Sequence, residues 1–118
     1  ILVRGRERTP LADATRRLIA RGGTGPGSPD EPMLNLLAGY RRGEWRLCLF
    51  PRQRHRPAAY DRPDPERLLV SPGAVDMGGL IVAPREREFT RLNAPLLREI
   101  YREVSAAAPP WADLFTPD

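Results

Sequence analysis

Eleven residues from Gly22 to Pro32 hold four glycines and three prolines, and neither a helix nor a strand runs through such a stretch. Proline removes the backbone donor and fixes φ, while glycine costs more conformational entropy to order than any other residue. Residues 22–32 therefore read as a flexible loop, a lid or a spacer, that separates a short leading piece from a longer trailing one. Pro51 to Pro65 carries four more prolines and reads as a loop leaving a strand at its C-terminal end, where binding loops commonly lie. The whole chain of 118 residues has the length of one domain, so 1–118 is expected to form a single domain with a tail at 109–118.

Ahead of the first break, Ile1 to Val3 reads as a short strand. Thr9-Pro10 then supplies a cap and a first-turn proline for a helix over 10–21, whose apolar face is Leu11, Ala14, Leu18 and Ile19. Arg16, Arg17 and Arg21 load its C-terminal end, where the macrodipole favours cations. Between the breaks, Met33–Tyr40 and Trp45–Phe50 are β-compatible arms joined by Arg41-Arg42-Gly43-Glu44, with glycine where a hairpin needs positive φ. Trp45, Leu47 and Leu49 alternate with Arg46, Cys48 and Phe50, which gives the second arm one apolar and one mixed face.

Past the second break, Leu68–Val70 and Gly78–Ala83 read as strands joined by a turn or bulge at Ala74 to Met77. A helix over 94–108 carries the stripe Leu96, Leu97, Ile100, Tyr101 and Val104 and is stopped by Pro109-Pro110. The expected fold is α+β: a mainly antiparallel sheet of about five strands with two flanking helices.

Composition removes several functions. One cysteine, Cys48, forbids an internal disulfide and cysteine-rich zinc sites, and its apolar setting predicts a buried, inert thiol. One histidine, His55, excludes metal motifs that need several imidazoles. No lysine is present, which removes Schiff-base chemistry and the P-loop lysine. The expectation is a chain without metal or cofactor. No apolar run approaches the ~20 residues of a membrane span, and Ile1-Leu2-Val3-Arg4 is no secretion signal. A cytoplasmic protein is expected, and because no Met precedes Ile1, part of a longer one.

The formal charge of +4 is concentrated. Residues 41–62 hold seven arginines against Glu44 and Asp61, a local +5, and the remainder nets −1. Such an excess attracts phosphate esters, nucleotides or nucleic acid, and a solvated arginine-rich surface satisfies the same count. The richest part is Arg52-Gln53-Arg54-His55-Arg56. Guanidinium forks take phosphate oxygens bidentately, and an imidazole adds a donor. If extended, this segment puts Arg52, Arg54 and Arg56 on one side and Gln53 and His55 on the other. Ser71 to Gly79 is small and glycine-bearing, so its amides, at Gly78 and Gly79 above all, suit close approach to an anion, although it lacks the spacing of a P-loop. Asn35 is a polar residue in an apolar strand and needs a hydrogen bond or a ligand. Asp76, Glu86 and Glu88 read as surface carboxylates without a catalytic context.

Three ordered stretches, Glu31-Pro32-Met33-Leu34-Asn35-Leu36-Leu37, Trp45 to Pro57 and Leu69 to Val82, resemble the C-terminal half of the GDP-L-galactose phosphorylase and diadenosine tetraphosphate phosphorylase group. That group belongs to the histidine-triad (HIT) and galactose-1-phosphate uridylyltransferase superfamily. The similarity is greatest to bacterial members described as a domain of unknown function, and it covers residues 31–92 in register. The resemblance implies a HIT-like fold and nucleotidyl transfer, in which a histidine attacks the α-phosphate of a nucleotide sugar or dinucleoside polyphosphate and phosphate then takes the nucleotidyl group. The group's nucleophile lies in a His-x-His-x-Gln motif in the N-terminal half, and this sequence has no such motif.

The implied role is thus that of the substrate- and phosphate-binding half, without a catalytic residue, inactive alone and partnered by an N-terminal half of the same protein, with homodimerisation compatible. Asn35, Arg52, Arg54, His55, Arg56, Ser71, Gly78 and Gly79 would face the nucleotide or nucleotide-sugar phosphate. Two other readings stay open. One is a small basic nucleic-acid-binding domain, suggested by the basic segment, against which Tyr40, Trp45 and Tyr60 are too sparse and irregular to make a base-stacking platform. The other is a non-catalytic assembly domain contacting neighbours through Trp111, Leu114 and Phe115.

Overall fold

Alternating side chains in the second hairpin arm build the first layer. The computed structural model describes residues 1–21 and 33–106, and the chain divides into two compact units, one built on Ile1–Pro51 and one on Arg52–Ala107.

In the first unit the order is β1 (Leu2–Gly5), α1 (Arg8–Arg21), β2 (Leu34–Arg41) and β3 (Glu44–Pro51). The three strands make an antiparallel sheet in the order β1-β3-β2. Arg41 pairs with Glu44, so the hairpin closes through Arg42 and Gly43 alone. Both have positive φ, 53° and 79°, the pair of left-handed residues that a two-residue turn needs to match strand twist. Val3 and Ala38 flank Leu47 on either side in register, and Leu49, opposite Leu36, is fully buried.

Helix α1 packs against β1, and its Leu11, Thr15 and Leu18 are buried. It begins at Arg8, two residues before the expected start, because the first turn's N–H groups have no intrahelical partner and Pro10 can sit there without loss. A Cβ on Gly5 would stand 3.3 Å from Leu11 Cδ1, so this glycine lets the helix close onto β1. Thr15 Oγ1 donates to Leu11 O at 2.8 Å, which satisfies a buried hydroxyl within the helix. Cys48 is half-buried, not buried as its apolar neighbours predict.

The second unit comprises a one-turn 3-10 segment at Ala58–Tyr60, α2 (Ala74–Met77), α3 (Glu86–Arg91) and α4 (Ala94–Val104). The expected strands at Leu68–Val70 and Gly78–Ala83 do not form, so the sheet has three strands where about five are expected. The apolar residues of the first run are core residues all the same: Leu68, Val70 and Ile100 form a cluster against which Ala59, Ile81, Leu92 and Leu96 pack. Their backbone groups find other partners. Leu68 N donates to Ala59 O at 2.9 Å, and the Arg91 guanidinium donates to the carbonyls of Pro65, Glu66 and Arg67. In the second run, Val82 N donates to the Asp76 side chain, and Leu80 and Val82 point outward at 65% and 58% exposure.

Helix α4 matches the sequence reading at its start. Asn93 Oδ1 accepts from Leu96 N at 3.0 Å, Pro95 follows in the first turn, and Ile100 and Val104 are buried in the stripe. It ends at Val104, short of residue 108, because Gln53 N takes the Val104 carbonyl at 2.9 Å and Ser105 is drawn into an antiparallel bridge with Arg52. The loop at 22–32 and the tail at 109–118, with Trp111, Leu114 and Phe115, lie outside the described residues. No helix among the described residues is long and apolar enough to cross a membrane.

Candidate functional site

The basic loop Arg52–Pro57 is shaped from within by hydrogen bonds and bends at Gln53, His55 and Arg56 instead of running extended. Its first residues cap α4. The last carbonyls of a helix lack intrahelical donors, and here Gln53 N and Arg54 N donate to Val104 O at 2.9 and 3.4 Å, while the Gln53 amide donates to Glu103 O at 2.9 Å and to Arg102 O at 3.4 Å. Arg52 turns inward. Its Nε donates to Arg54 O at 3.1 Å and its Nη2 to His55 O, and Ser71 Oγ donates to the same His55 carbonyl at 3.1 Å. Burial draws the Arg52 pKa below the ordinary arginine value, opposed by the charge of Asp76. The alternation of three arginines against Gln53 and His55 is therefore not realised.

Two arginines remain at the surface. Arg54 Nη1 lies 3.1 Å from Glu103 Oε1, the oxygen that also accepts from Ala58 N at 2.7 Å. The Arg54 side chain is 58% exposed. Arg56 lays its guanidinium over the Tyr60 ring, 4.3 Å from the centroid, which holds the planar group in place and covers one aromatic face. Between them His55 is exposed, and its backbone carbonyl rather than its ring is what the loop uses. Arg54, His55 and Arg56 thus ride at the surface on a backbone fixed by Arg52, Gln53 and Glu103.

Ser71 leads into the second predicted loop. Ala74–Met77 forms a helical turn, which the sequence reads as a turn or bulge, and it is organised by Asp76. Asp76 Oδ2 accepts from Gly73 N at 2.8 Å and Oδ1 from Val82 N at 3.1 Å. The side chain is buried, not a surface carboxylate as expected, because the amides on both sides of the turn enclose it. Gly78 closes the turn with its N–H on Ala74 O, and Gly79 adopts φ +101°. Tyr101 Oη donates to Asp76 O at 2.8 Å, and its pKa is raised by burial and by the Asp76 charge. Ser71 is thus joined to the arginine loop through the His55 carbonyl, whereas Gly78 and Gly79 belong to the turn built on Asp76, with Gly79 N on Asp76 O at 2.9 Å.

Glu88, the other misjudged carboxylate, is wholly buried at the start of α3. It accepts from Arg85 Nε at 2.9 Å, from Arg85 Nη2, and from Arg87 Nε at 3.2 Å, and Arg87 also pairs with Asp64. Arg85 foremost, with Arg87 and the Leu69 amide, outweighs burial and holds the Glu88 carboxyl down at about 2. Glu86 is exposed as expected. The signal for α3 was ionic: Arg85 and Glu88 stand at i,i+3 spacing with no apolar stripe beside them.

Asn35 belongs to the first unit, on β2 opposite Phe50 in register. Its Nδ2 is buried without a hydrogen-bond partner among the described residues. No group of three or more His, Cys, Asp or Glu side chains comes together among the described residues. No protein-family model, curated protein or solved structure matches the chain.

Proposed function

We propose that the loop Arg52–Pro57 binds the phosphates of a nucleotide or nucleotide sugar, and that the chain is the non-nucleophilic half of a HIT-like nucleotidyltransferase or phosphorylase. The observation that supports this reading is the division of labour in the loop. Arg52, Gln53 and Glu103 fix its backbone, and the exposed cations Arg54 and Arg56 are presented with His55 between them. Guanidinium groups held in place lose less freedom when they take up phosphate oxygens than free ones do. Arg54 and Arg56 supply the charge, the His55 ring an additional hydrogen bond, and Ser71 steadies the His55 carbonyl. The arrangement contains no nucleophile. Nucleotidyl transfer would need the His-x-His-x-Gln motif of an N-terminal partner half, with this loop neutralising the phosphate oxygens as they move.

Calorimetric titration of the chain with GDP, ADP and inorganic phosphate at two salt concentrations tests the proposal. Mononucleotide binding is expected, with affinity falling at least tenfold in an Arg54→Ala/Arg56→Ala variant whose circular dichroism matches the parent. Absence of nucleotide binding, or binding the variant retains, refutes it. RNA binding that drops steeply with salt and ignores mononucleotides would assign the same arginines to nucleic acid.

A further inference from the structure

A cleft of about 280 Å³ opens in the first unit between α1 and the hairpin. It arises from how α1 is seated. Gly5 lets Leu11 come down onto β1, and among the described residues a cleft remains between the hairpin side of the helix and Ala38, Trp45 and Leu47. One wall is Leu11, Ala12 and Thr15 of α1, the other Ala38, Trp45 and Leu47 of the hairpin. Both walls are apolar, since the Thr15 hydroxyl is spent on Leu11 O. The Trp45 ring is braced by Tyr40, whose centroid is 4.9 Å away.

The charged residues at this cleft are both cations, Arg8 and Arg16. Arg16 is paired with Asp13 at 2.6 Å, whereas Arg8 makes no ion pair among the described residues. Arg8 opens the first turn of α1 directly after Glu7, and that turn itself holds no acidic residue. An apolar trough with a cation at one end that makes no ion pair among the described residues is complementary to an amphiphile whose head is an anion. The volume of about 280 Å³ lies at the lower end of the ~300–1,000 Å³ of small-molecule pockets, which limits the occupant to a chain of modest length.

We propose that this cleft binds a medium-chain carboxylate, its head at Arg8 and its chain lying along Ala12, Ala38 and Leu47 against the Trp45 ring. The site is separate from the arginine loop and does not depend on the reading of that loop.

The test is a fluorescence titration of the full chain carrying Trp111→Phe, so that Trp45 is the only reporter. The probes are octanoate, octylammonium and octanol, each below its micellar concentration. Octanoate is expected to shift Trp45 emission saturably and to bind at least tenfold more tightly than octylammonium. Arg8→Gln should weaken octanoate at least fivefold and Arg16→Gln less than that, with octanol unaffected by either. Ala12→Leu, which fills the trough with an ordinary helix-forming residue, should abolish the response of all three. No saturable response to octanoate, equal affinity for octanoate and octylammonium, or indifference to Arg8→Gln overturns the proposal.

Discussion

Replacing Asp76 by alanine should show what that carboxylate does. Its two oxygens accept from Gly73 N at 2.8 Å and Val82 N at 3.1 Å, and the residue is only 7% exposed. Hydrogen bonds to charged groups contribute ~1.5–3 kcal/mol each, and a buried donor left unpaired costs ~1–3 kcal/mol. Because both amides lie partly within reach of solvent, the lower ends apply, and losing the pair should destabilise the chain by about 3 kcal/mol. For a urea slope of ~1.5 kcal/mol per molar this moves the midpoint down by ~2 M. Asp76→Asn keeps one acceptor oxygen but turns an amide donor toward a backbone donor, so it should fall between parent and alanine, nearer the latter. Hydrogen exchange should locate the loss, with the Gly73 and Val82 amides deprotected before those of α4. The reasoning fails if Asp76→Ala costs under ~0.5 kcal/mol, or if asparagine and aspartate prove equivalent.

Further outcomes follow from other parts of the chain. Glu88 titrates at about 2 in the folded chain against an ordinary 4.5. Its contribution is therefore complete above that ordinary value, declines as pH falls below it, and is gone once pH passes through about 2. Asp64, lowered by its hydrogen bond with Arg87, acts in the same direction. Urea midpoints measured from pH 6 to pH 2 should fall along this window and fall less in Glu88→Gln, and an equal slope in both would refute the assignment. Gly79→Ala, at φ +101°, should cost about 1–2 kcal/mol. Gly39→Ala, in open space on β2, should be neutral or slightly stabilising by thermal melting, and the reverse order would count against the described loop.

The hairpin was legible because two independent signals coincide there: period-two alternation and a glycine at the tip. Helix α4 was legible for a similar reason, with a side-chain cap and a five-residue apolar stripe agreeing on one span. The missing strands had one signal each. Leu68–Val70 is short, apolar and bounded by turn residues, and those facts fit a segment buried on a helix as well as one in a sheet. What decided between them was the packing of Leu68 and Val70 against Ile100, about thirty residues away, which no local pattern announces. The fate of the arginine loop was hidden partly by its own bends and partly by distance. Alternating arginines suggest a row of clamps, but Arg52 is consumed by the carbonyls of Arg54 and His55, and Gln53 by the end of α4. Asp76 and Glu88 were misread because burial of a carboxylate depends on donors brought from elsewhere, here the Val82 amide and Arg85.

Arg91 limits how the chain can drift. Its Nη1 reaches the carbonyls of Pro65 and Arg67 and its Nη2 that of Glu66, so one planar fork serves three consecutive carbonyls of a turn. At most of the nineteen basic positions exchange of arginine for lysine keeps the charge and little else is asked. Position 91 is different, because an ammonium group concentrates its donors at one nitrogen and cannot reach along three residues of backbone. Exchange of this side chain for lysine therefore leaves carbonyls of that turn without their donor, and the segment that leads into Leu68 and Val70 loses its tie to the end of α3.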